Sequence, residues 1–388
     1  MIFNKRILIT LVVLACLLIS LFEIRLSLNL FLQTKAEEDN YIYEQKAAVL
    51  AKEKKEIQAE NTKINFRGID FYPSPYPYAT LEAFNALESL LQIEGINYVQ
   101  LRVFLYQKSL TSSQVVYDEE QDVILESMIT MIHQAGKKVS LLPDIIIEGG
   151  GYVANLAPKD IEQWFASYTD CLIRYAGLAQ AYEVELFCIG NEFHSLWGSD
   201  QRWKQTIQKL RSQYQGLISV KLNCWWQEET FEKVLTFDWL KDLDLIAIAP
   251  YFDLTKNHSP DLKDIEKAWF ESRHDNQNIV YQLKTIAETF NQKIIFSEIG
   301  YRSTEGTTME PWNSEFKVPR GEKGRAIYSP EEQSLATQAL FNVFENQDWW
   351  DGVFWFYWPT AKPIEDDRTW AIWNKPVATI IQNNFTKQ

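Results

Sequence analysis

The sequence predicts a (β/α)8 barrel, a TIM barrel, over residues 63–388, preceded by an N-terminal membrane anchor and a helical stalk. Three observations carry that reading. From residue 64 onward, apolar runs of strand length alternate with amphipathic helical patterns. Eight such units fill the rest of the 388-residue chain, in keeping with the roughly 250 residues such a barrel needs. Two of the runs, Leu245-Ile246-Ala247-Ile248-Ala249 and Ile294-Ile295-Phe296, are continuously apolar, as parallel strands covered on both faces are.

Taken in order, the expected strands are 64–71, 98–104, 137–143, 184–190, 217–224, 243–249, 292–298 and 352–358. Between them, Leu81, Phe84, Leu87, Leu90 and Leu91 recur at helical spacing, as do Ile161, Trp164, Phe165, Tyr168, Leu172 and Tyr175. A doubly wound open sheet is the rival. Its nucleotide-binding version loses weight because Gly68-Ile69-Asp70-Phe71, where a glycine-rich phosphate loop belongs, has no such fingerprint. The longest irregular stretch runs from Thr304 to Ser329, after the seventh strand. Loops at that end of a barrel build its site, so this one is a candidate cleft wall.

The N-terminus reads differently. Lys5 and Arg6 precede a mostly apolar run over residues 7–22, the pattern of a secretory signal or a signal anchor. Isolated polar residues then alternate with Ile24, Leu26, Leu28, Leu30, Phe31 and Leu32, and no clear small-residue cleavage site follows. Residues 1–33 are therefore read as an uncleaved anchor with its basic end in the cytoplasm, a cleaved signal being the alternative. Cys16 sits in a weak lipobox-like context, but the apolar run continues past it. Residues 34–62 mix charges of both signs with Ala, Gln and Leu; from residue 45 to 60 they contain neither Gly nor Pro. That composition suits a helical stalk or a solvated linker. Residues 63–388 are left as an extracytoplasmic catalytic domain, tethered to the membrane or secreted.

Composition excludes some partners. A net charge of −14 argues against nucleic acid, whose phosphates need a basic surface. The 14 Trp, 18 Tyr and 22 Phe suit either a sugar-binding cleft or a large aromatic core. Cys171, Cys188 and Cys224 fall within predicted helix or strand, outside any CxxC pair, and read as buried thiols. The four histidines lack metal-site spacing, no GxSxG elbow occurs, and no cofactor is called for.

Two carboxylates carry the chemistry. Ile189-Gly190-Asn191-Glu192-Phe193 closes the fourth strand, and Phe296-Ser297-Glu298-Ile299-Gly300-Tyr301 closes the seventh. Both glutamates lie at the carboxyl ends of strands, the catalytic face of a barrel. Three units apart, they face one another across the mouth. Cleavage of a glycosidic bond needs such a pair, one protonated to assist the leaving oxygen and one ionised to attack the anomeric carbon.

These segments resemble clan A glycoside hydrolases. Ser297-Glu298-Ile299-Gly300-Tyr301-Arg302-Ser303 followed by Pro311-Trp312 is similar to glycoside hydrolase family 113. Tyr106-Gln107, Trp164-Phe165-x-x-Tyr168, Asn223-Cys224-Trp225 and Pro250-Tyr251-Phe252 extend the likeness over residues 64–382. The resemblance implies a retaining endo-β-1,4-mannanase acting on a β-linked polysaccharide or oligosaccharide. It implies Glu192 as acid/base, Glu298 as nucleophile, Asn191 on the sugar hydroxyl beside the reacting carbon, and Arg102 keeping the nucleophile ionised. A barrel that cleaves or transfers another β-glycan, or binds one without cleaving it, is the alternative. Tyr251 is placed to donate to Glu298. Trp358, in Phe354-Trp355-Phe356-Tyr357-Trp358, is the expected sugar platform, with Trp225 and Trp312 as further cleft candidates. One departure stands out: Leu142-Pro143-Asp144 follows the third strand where the family leads one to expect a histidine. Asp144 is expected to bind a sugar hydroxyl instead.

Overall fold

The computed structural model describes residues 65–74, 77–225, 227–273, 276–314 and 326–387. The proposed anchor and stalk lie outside these residues. Among the described residues no helix is long and apolar enough to cross a membrane.

The chain runs β1 (Phe66–Tyr72), α1 (Leu81–Leu91), β2 (Tyr98–Gln107), β3 (Val116–Tyr117), α2 (Glu120–Gln134), β4 (Lys138–Ile147), α3 (Ile161–Ala181) and β5 (Leu186–Asn191). It continues through α4 (Asp200–Arg211), β6 (Leu217–Asn223), α5 (Glu228–Val234), β7 (Ile246–Ala249), α6 (Leu262–Ala268) and α7 (Ile279–Phe290). Last come β8 (Ile294–Ile299), α8 (Pro330–Phe344), β9 (Trp350–Pro359) and α9 (Pro376–Thr386). Eight strands are parallel in the order β1-β9-β8-β7-β6-β5-β4-β2, and β1 pairs back onto β2, so the sheet closes into a barrel. The two-residue β3 adds antiparallel to β2 outside the ring.

Each expected strand has its counterpart. β2 and β4 run past their expected ends because they pair residue by residue from Tyr98↔Lys138 to Gln107↔Ile147. Pro143 sits inside β4, where a missing N–H normally breaks a ladder. It is tolerated because β4 pairs with β5 only at Ser140 and Leu141, before the proline.

The helices form where capping and periodicity agree. Asp160 caps α3 by accepting from Gln163 N–H, and the buried stripe Trp164, Phe165, Tyr168, Leu172, Tyr175 faces the strands. In α1 the face is rotated from the one expected. Leu81 is 75% exposed, and Ala83 and Ala86 join Leu87, Leu90 and Leu91 on the buried side.

Inside the ring the layers differ in polarity. Phe66, Tyr98, Leu186, Leu245, Ala247, Ile295 and Phe354 pack as an apolar floor at the amino ends of the strands. Gly68 is needed there, since a Cβ would meet the Phe354 ring at 2.2 Å. One layer up, Gln100 donates to the Ser297 carbonyl across the barrel at 3.1 Å. Above that, Asp70, Arg102, Asn191, Lys221 and Glu298 line the carboxyl-end mouth.

Most of the tryptophan belongs to the outer core between strands and helices. Trp164, Trp197, Trp203 and Trp239 form one buried aromatic stack with Phe165, Tyr168 and Phe193. Cys171, Cys188 and Cys224 are buried free thiols, as expected.

Candidate functional site

Every barrel strand or the loop behind it sends a side chain to the mouth. Asp70 stands on β1, Arg102 on β2, Asp144 on β4, Lys221 on β6 and Glu298 on β8. Asn191 closes β5 and Glu192 follows it, while Tyr251 follows β7 and Phe356 lies on β9. A charge inside a barrel is costly unless paired, and the pairing here is dense. The Arg102 guanidinium donates to Asp70 Oδ2 at 2.6 Å, to Asp144 Oδ2 at 2.8 Å and to Glu298 Oε2 at 2.7 Å. Lys221 Nζ donates to the same Glu298 oxygen. The Tyr72 ring lies 4.7 Å from the guanidinium carbon and covers it.

The other glutamate is held by a different set. Glu192 leaves β5 with φ 61°, in the left-handed region, which costs a residue with a Cβ about 1–2 kcal/mol. Its N–H donates to the Lys221 carbonyl at 2.9 Å and its carbonyl accepts from His194 N–H at 2.8 Å. Tyr168 O–H fixes the preceding turn by donating to the Ile189 carbonyl at 3.0 Å. The Glu192 carboxyl accepts from Tyr152 O–H at 2.7 Å, and Asn223 Nδ2 donates to that phenol at 2.9 Å.

These surroundings push the two carboxyls in opposite directions. Burial raises the Glu192 pKa and the neighbouring Glu298 charge adds to it; Lys221, Tyr152 and Arg102 offset only part of this. Burial also acts against ionised Glu298, but Lys221 and Arg102 together outweigh it and hold the group down at about 2. Burial opposes charge on Lys221 as well, yet Glu298 and Glu192 keep its pKa above the ordinary lysine value. The mouth thus presents one carboxyl whose pKa is raised and one whose pKa is lowered, the direction of division that glycoside chemistry uses.

The expected site residues divide cleanly. Glu192, Glu298, Asn191, Arg102, Tyr251 and Asp144 converge. Tyr251 O–H donates to Glu298 Oε1 at 3.3 Å. Asp144 does more than face solvent: Oδ2 pairs with Arg102 and Oδ1 accepts from Asn191 Nδ2 at 3.0 Å. Trp312 is 39% exposed, with its indole N–H on Asp253 at 2.8 Å.

Trp358 and Trp225 need correcting. Trp358 is 4% exposed, stacks on Trp373 with centroids 4.8 Å apart, and donates its N–H to the Ala86 carbonyl on α1. It faces the helical layer and not the cleft. Simple strand alternation would put Trp358 on the same face as Phe354 and Phe356, but it fails at this end of β9 because the register against β1 slips there, Asp70 pairing Phe356 and Phe71 pairing Trp358. Trp225 is likewise buried, bonded to Gln282 on α7 at 2.7 Å and set edge-on to Phe252. The half-buried aromatics beside the charged cluster are Tyr72, Phe356 and Trp370. Gly300 makes room for them, since a Cβ would meet the Phe356 carbonyl at 2.3 Å and Trp370 Cδ1 at 3.2 Å.

Asp70, Lys221, Tyr152 and Asn223 are site residues the sequence reading did not assign. For Lys221 a signal exists: it is the one charge in β6, a strand sheathed on both faces, and so demands a counter-charge, whereas Asp70 shares β1 with Arg67 and is less conspicuous. Tyr152 lies on the loop after β4 and carries no such mark. Among the described residues no group of three His, Cys, Asp or Glu side chains is placed to hold a metal ion.

The model of Glycoside Hydrolase Family 113 matches residues 71–375. Among solved structures, the chain resembles the β-mannanase AaManA from Alicyclobacillus acidocaldarius, a complex with ManMIm. That likeness has 21% identity and a TM-score of 0.68 over 82% of this chain and 96% of that one. A second β-1,4-mannanase structure of the family matches at 18% identity and TM-score 0.68, over 84% and 99% of the two chains. The cellopentaose complex of XacCel5A is a more distant likeness, at 11% identity and TM-score 0.54, over 84% and 100%. No curated protein matches the chain.

Proposed function

Because the chain belongs to glycoside hydrolase family 113, we propose that this retaining glycoside hydrolase is an endo-β-1,4-mannanase with Glu298 as nucleophile and Glu192 as acid/base. The observation that carries the residue assignment is the opposite displacement of the two carboxyl pKa values within one polar mouth. In the first half-reaction Glu298 attacks the anomeric carbon, the glycosidic bond breaks, and the Glu192 proton passes to the departing oxygen. In the second, water attacks that carbon, its proton goes to Glu192, and the bond electrons return to Glu298. Asn191 Oδ1 and Asn223 Oδ1 are buried and find no donor among the described residues, which suits acceptance of bonds from sugar hydroxyls. Trp370 and Phe356 take the platform role first given to Trp358.

The mannan preference draws support from what the two similar family structures are said to be. Asp144 favours a second reading, in which another β-glycan is cleaved. The anchor pattern of residues 1–33 supports an extracytoplasmic enzyme held at the membrane, with a secreted form as the alternative.

The test is reducing-end release from β-1,4-mannan and β-1,4-glucan by the wild type and by Glu298→Gln. Mannan is expected to be the better substrate, and the variant is expected to lose at least about a thousandfold in kcat while still binding oligosaccharide. Unchanged hydrolysis by Glu298→Gln removes that residue from the mechanism, and preferential glucan cleavage overturns the mannan assignment.

A further inference from the structure

Lys221 touches both catalytic glutamates, and by two different groups. Its ammonium donates to Glu298 Oε2, the oxygen that Arg102 also holds at 2.7 Å. Its main-chain carbonyl accepts the Glu192 N–H at 2.9 Å, inside the left-handed turn that aims that side chain. The side chain is 1% exposed. A lysine is seldom buried so completely, because its ammonium gives up hydration that only a fixed counter-charge restores.

Resting on the glycosidase reading above, we propose that Lys221 is a positioning residue for both half-reactions: with Arg102 it occupies Oε2 of Glu298 and leaves Oε1 to attack, and its carbonyl anchors the turn that carries Glu192. The two oxygens of Glu298 are plainly unequal. Oε2 receives two cationic donors, whereas Oε1 receives one neutral phenol, Tyr251, at 3.3 Å. Once Oε1 is bonded to the sugar, Oε2 becomes the carbonyl oxygen of the glycosyl ester. Lys221 and Arg102 then draw charge onto that oxygen and make the carboxylate a better leaving group when water attacks. A second cation weakens Glu298 as a nucleophile and improves it as a leaving group, so its removal affects the second half-reaction more.

The same charge acts on Glu192. Lys221 is the largest influence lowering the Glu192 pKa and the largest lowering that of Glu298. The other charged and titratable groups that face the pair are Asp70 and Tyr72 from β1, Arg102 from β2, Asp144 from β4, Tyr152 from the loop after β4 and Tyr251 from the loop after β7. Cys188 and Cys224, with thiols pushed up by burial, stay neutral at working pH. None of these is removed with Lys221, so neutralising it displaces both glutamates in one direction.

The experiment compares wild type, Lys221→Met and Lys221→Gln, following kcat/KM against pH on the unactivated oligosaccharide that the wild type cleaves best, whose leaving oxygen needs a proton, and the pre-steady-state release of dinitrophenol from the corresponding dinitrophenyl glycoside. Both limbs of the pH profile are expected to move upward by about one unit, and deglycosylation to slow about tenfold more than glycosylation, so that a burst of dinitrophenol grows. A loss of packing alone lowers the rate without moving the profile. Lys221→Gln, which keeps a donor without the charge, decides the matter if the methionine variant does not fold. A profile that stays in place, or half-reactions slowed equally, overturns the proposal. A wild type that cleaves no glycoside overturns instead the functional reading on which it rests.

Discussion

Replacing Arg102 with methionine tests the charge balance of the mouth most directly. The guanidinium is 5% exposed and forms three ion pairs of 2.6–2.8 Å. Asp70 suffers most from its loss. That carboxylate is wholly buried, its Oδ2 meets Arg102, and its Oδ1 has no donor among the described residues. Glu298 retains Lys221, and Asp144 retains Asn191. Losing a cation at this range raises a carboxylate pKa by about 1–3 units, each worth about 1.4 kcal/mol, so Asp70 alone accounts for about 1.4–4 kcal/mol. Opening a buried ion pair from one side costs about 3–5 kcal/mol in general, and the variant should lose an amount in that range at pH 7.5.

The loss should also depend on pH. In the wild type burial already raises Asp70 while Arg102 restrains it. Without Arg102 the folded-state pKa climbs further above the unfolded value, so the folded variant binds a proton that the unfolded chain releases. Stability of the variant relative to wild type therefore recovers as pH falls toward the unfolded carboxylate value of about 4. Glu298 acts in the same sense. Its depressed wild-type pKa, about 2, contributes stability that is complete above the unfolded value and is lost as pH falls through 2. Guanidinium unfolding followed by tryptophan fluorescence at pH 7.5 and pH 5 measures the deficit and the part of its pH dependence that comes from Asp70, the Glu298 part falling below pH 5. A deficit below about 1 kcal/mol at pH 7.5, or one equal at the two pH values, refutes the reasoning.

Three further outcomes follow from the same geometry. Tyr152→Phe removes the 2.7 Å bond that lowers the Glu192 pKa, so the alkaline limb of kcat/KM should rise by about one unit, a hydrogen bond to a charged group being worth about 1.5–3 kcal/mol; a limb that stays or falls contradicts this. Trp358→Ala should cost about 3–5 kcal/mol of stability, read in the same unfolding assay, and leave KM unchanged. Trp312→Ala should do the reverse, raising KM with little change in unfolding midpoint, and a KM effect confined to Trp358 would restore it to the cleft.

What was legible in the sequence has a common physical origin. Strands covered on both faces are rich in apolar residues, so Leu245–Ala249 and Ile294–Phe296 announce themselves by composition, and the alternation of the other, more mixed runs with helical periodicity gives the barrel. A glutamate ending such a strand is conspicuous for the same reason, which marks Glu192 and Glu298, whereas the roles of Asn191 and Arg102 followed from the resemblance to the family. The anchor expected for residues 1–33 rests on Lys5, Arg6 and the apolar run that follows, and lies outside the described residues.

Tertiary structure alone decided which side of each strand faces the axis. In a closed barrel the inner and outer faces are both buried, so hydrophobicity does not distinguish Phe356, beside Arg102, from Trp358, against α1. It decided which charges meet, because the partners of Arg102 come from three separate strands and pair through space at distances that sequence spacing does not encode. It also brought in Tyr152, whose phenol reaches Glu192 only because the loop after β4 bends back over the mouth. Local pattern sets what each segment is, and closure of the ring sets what each side chain can reach.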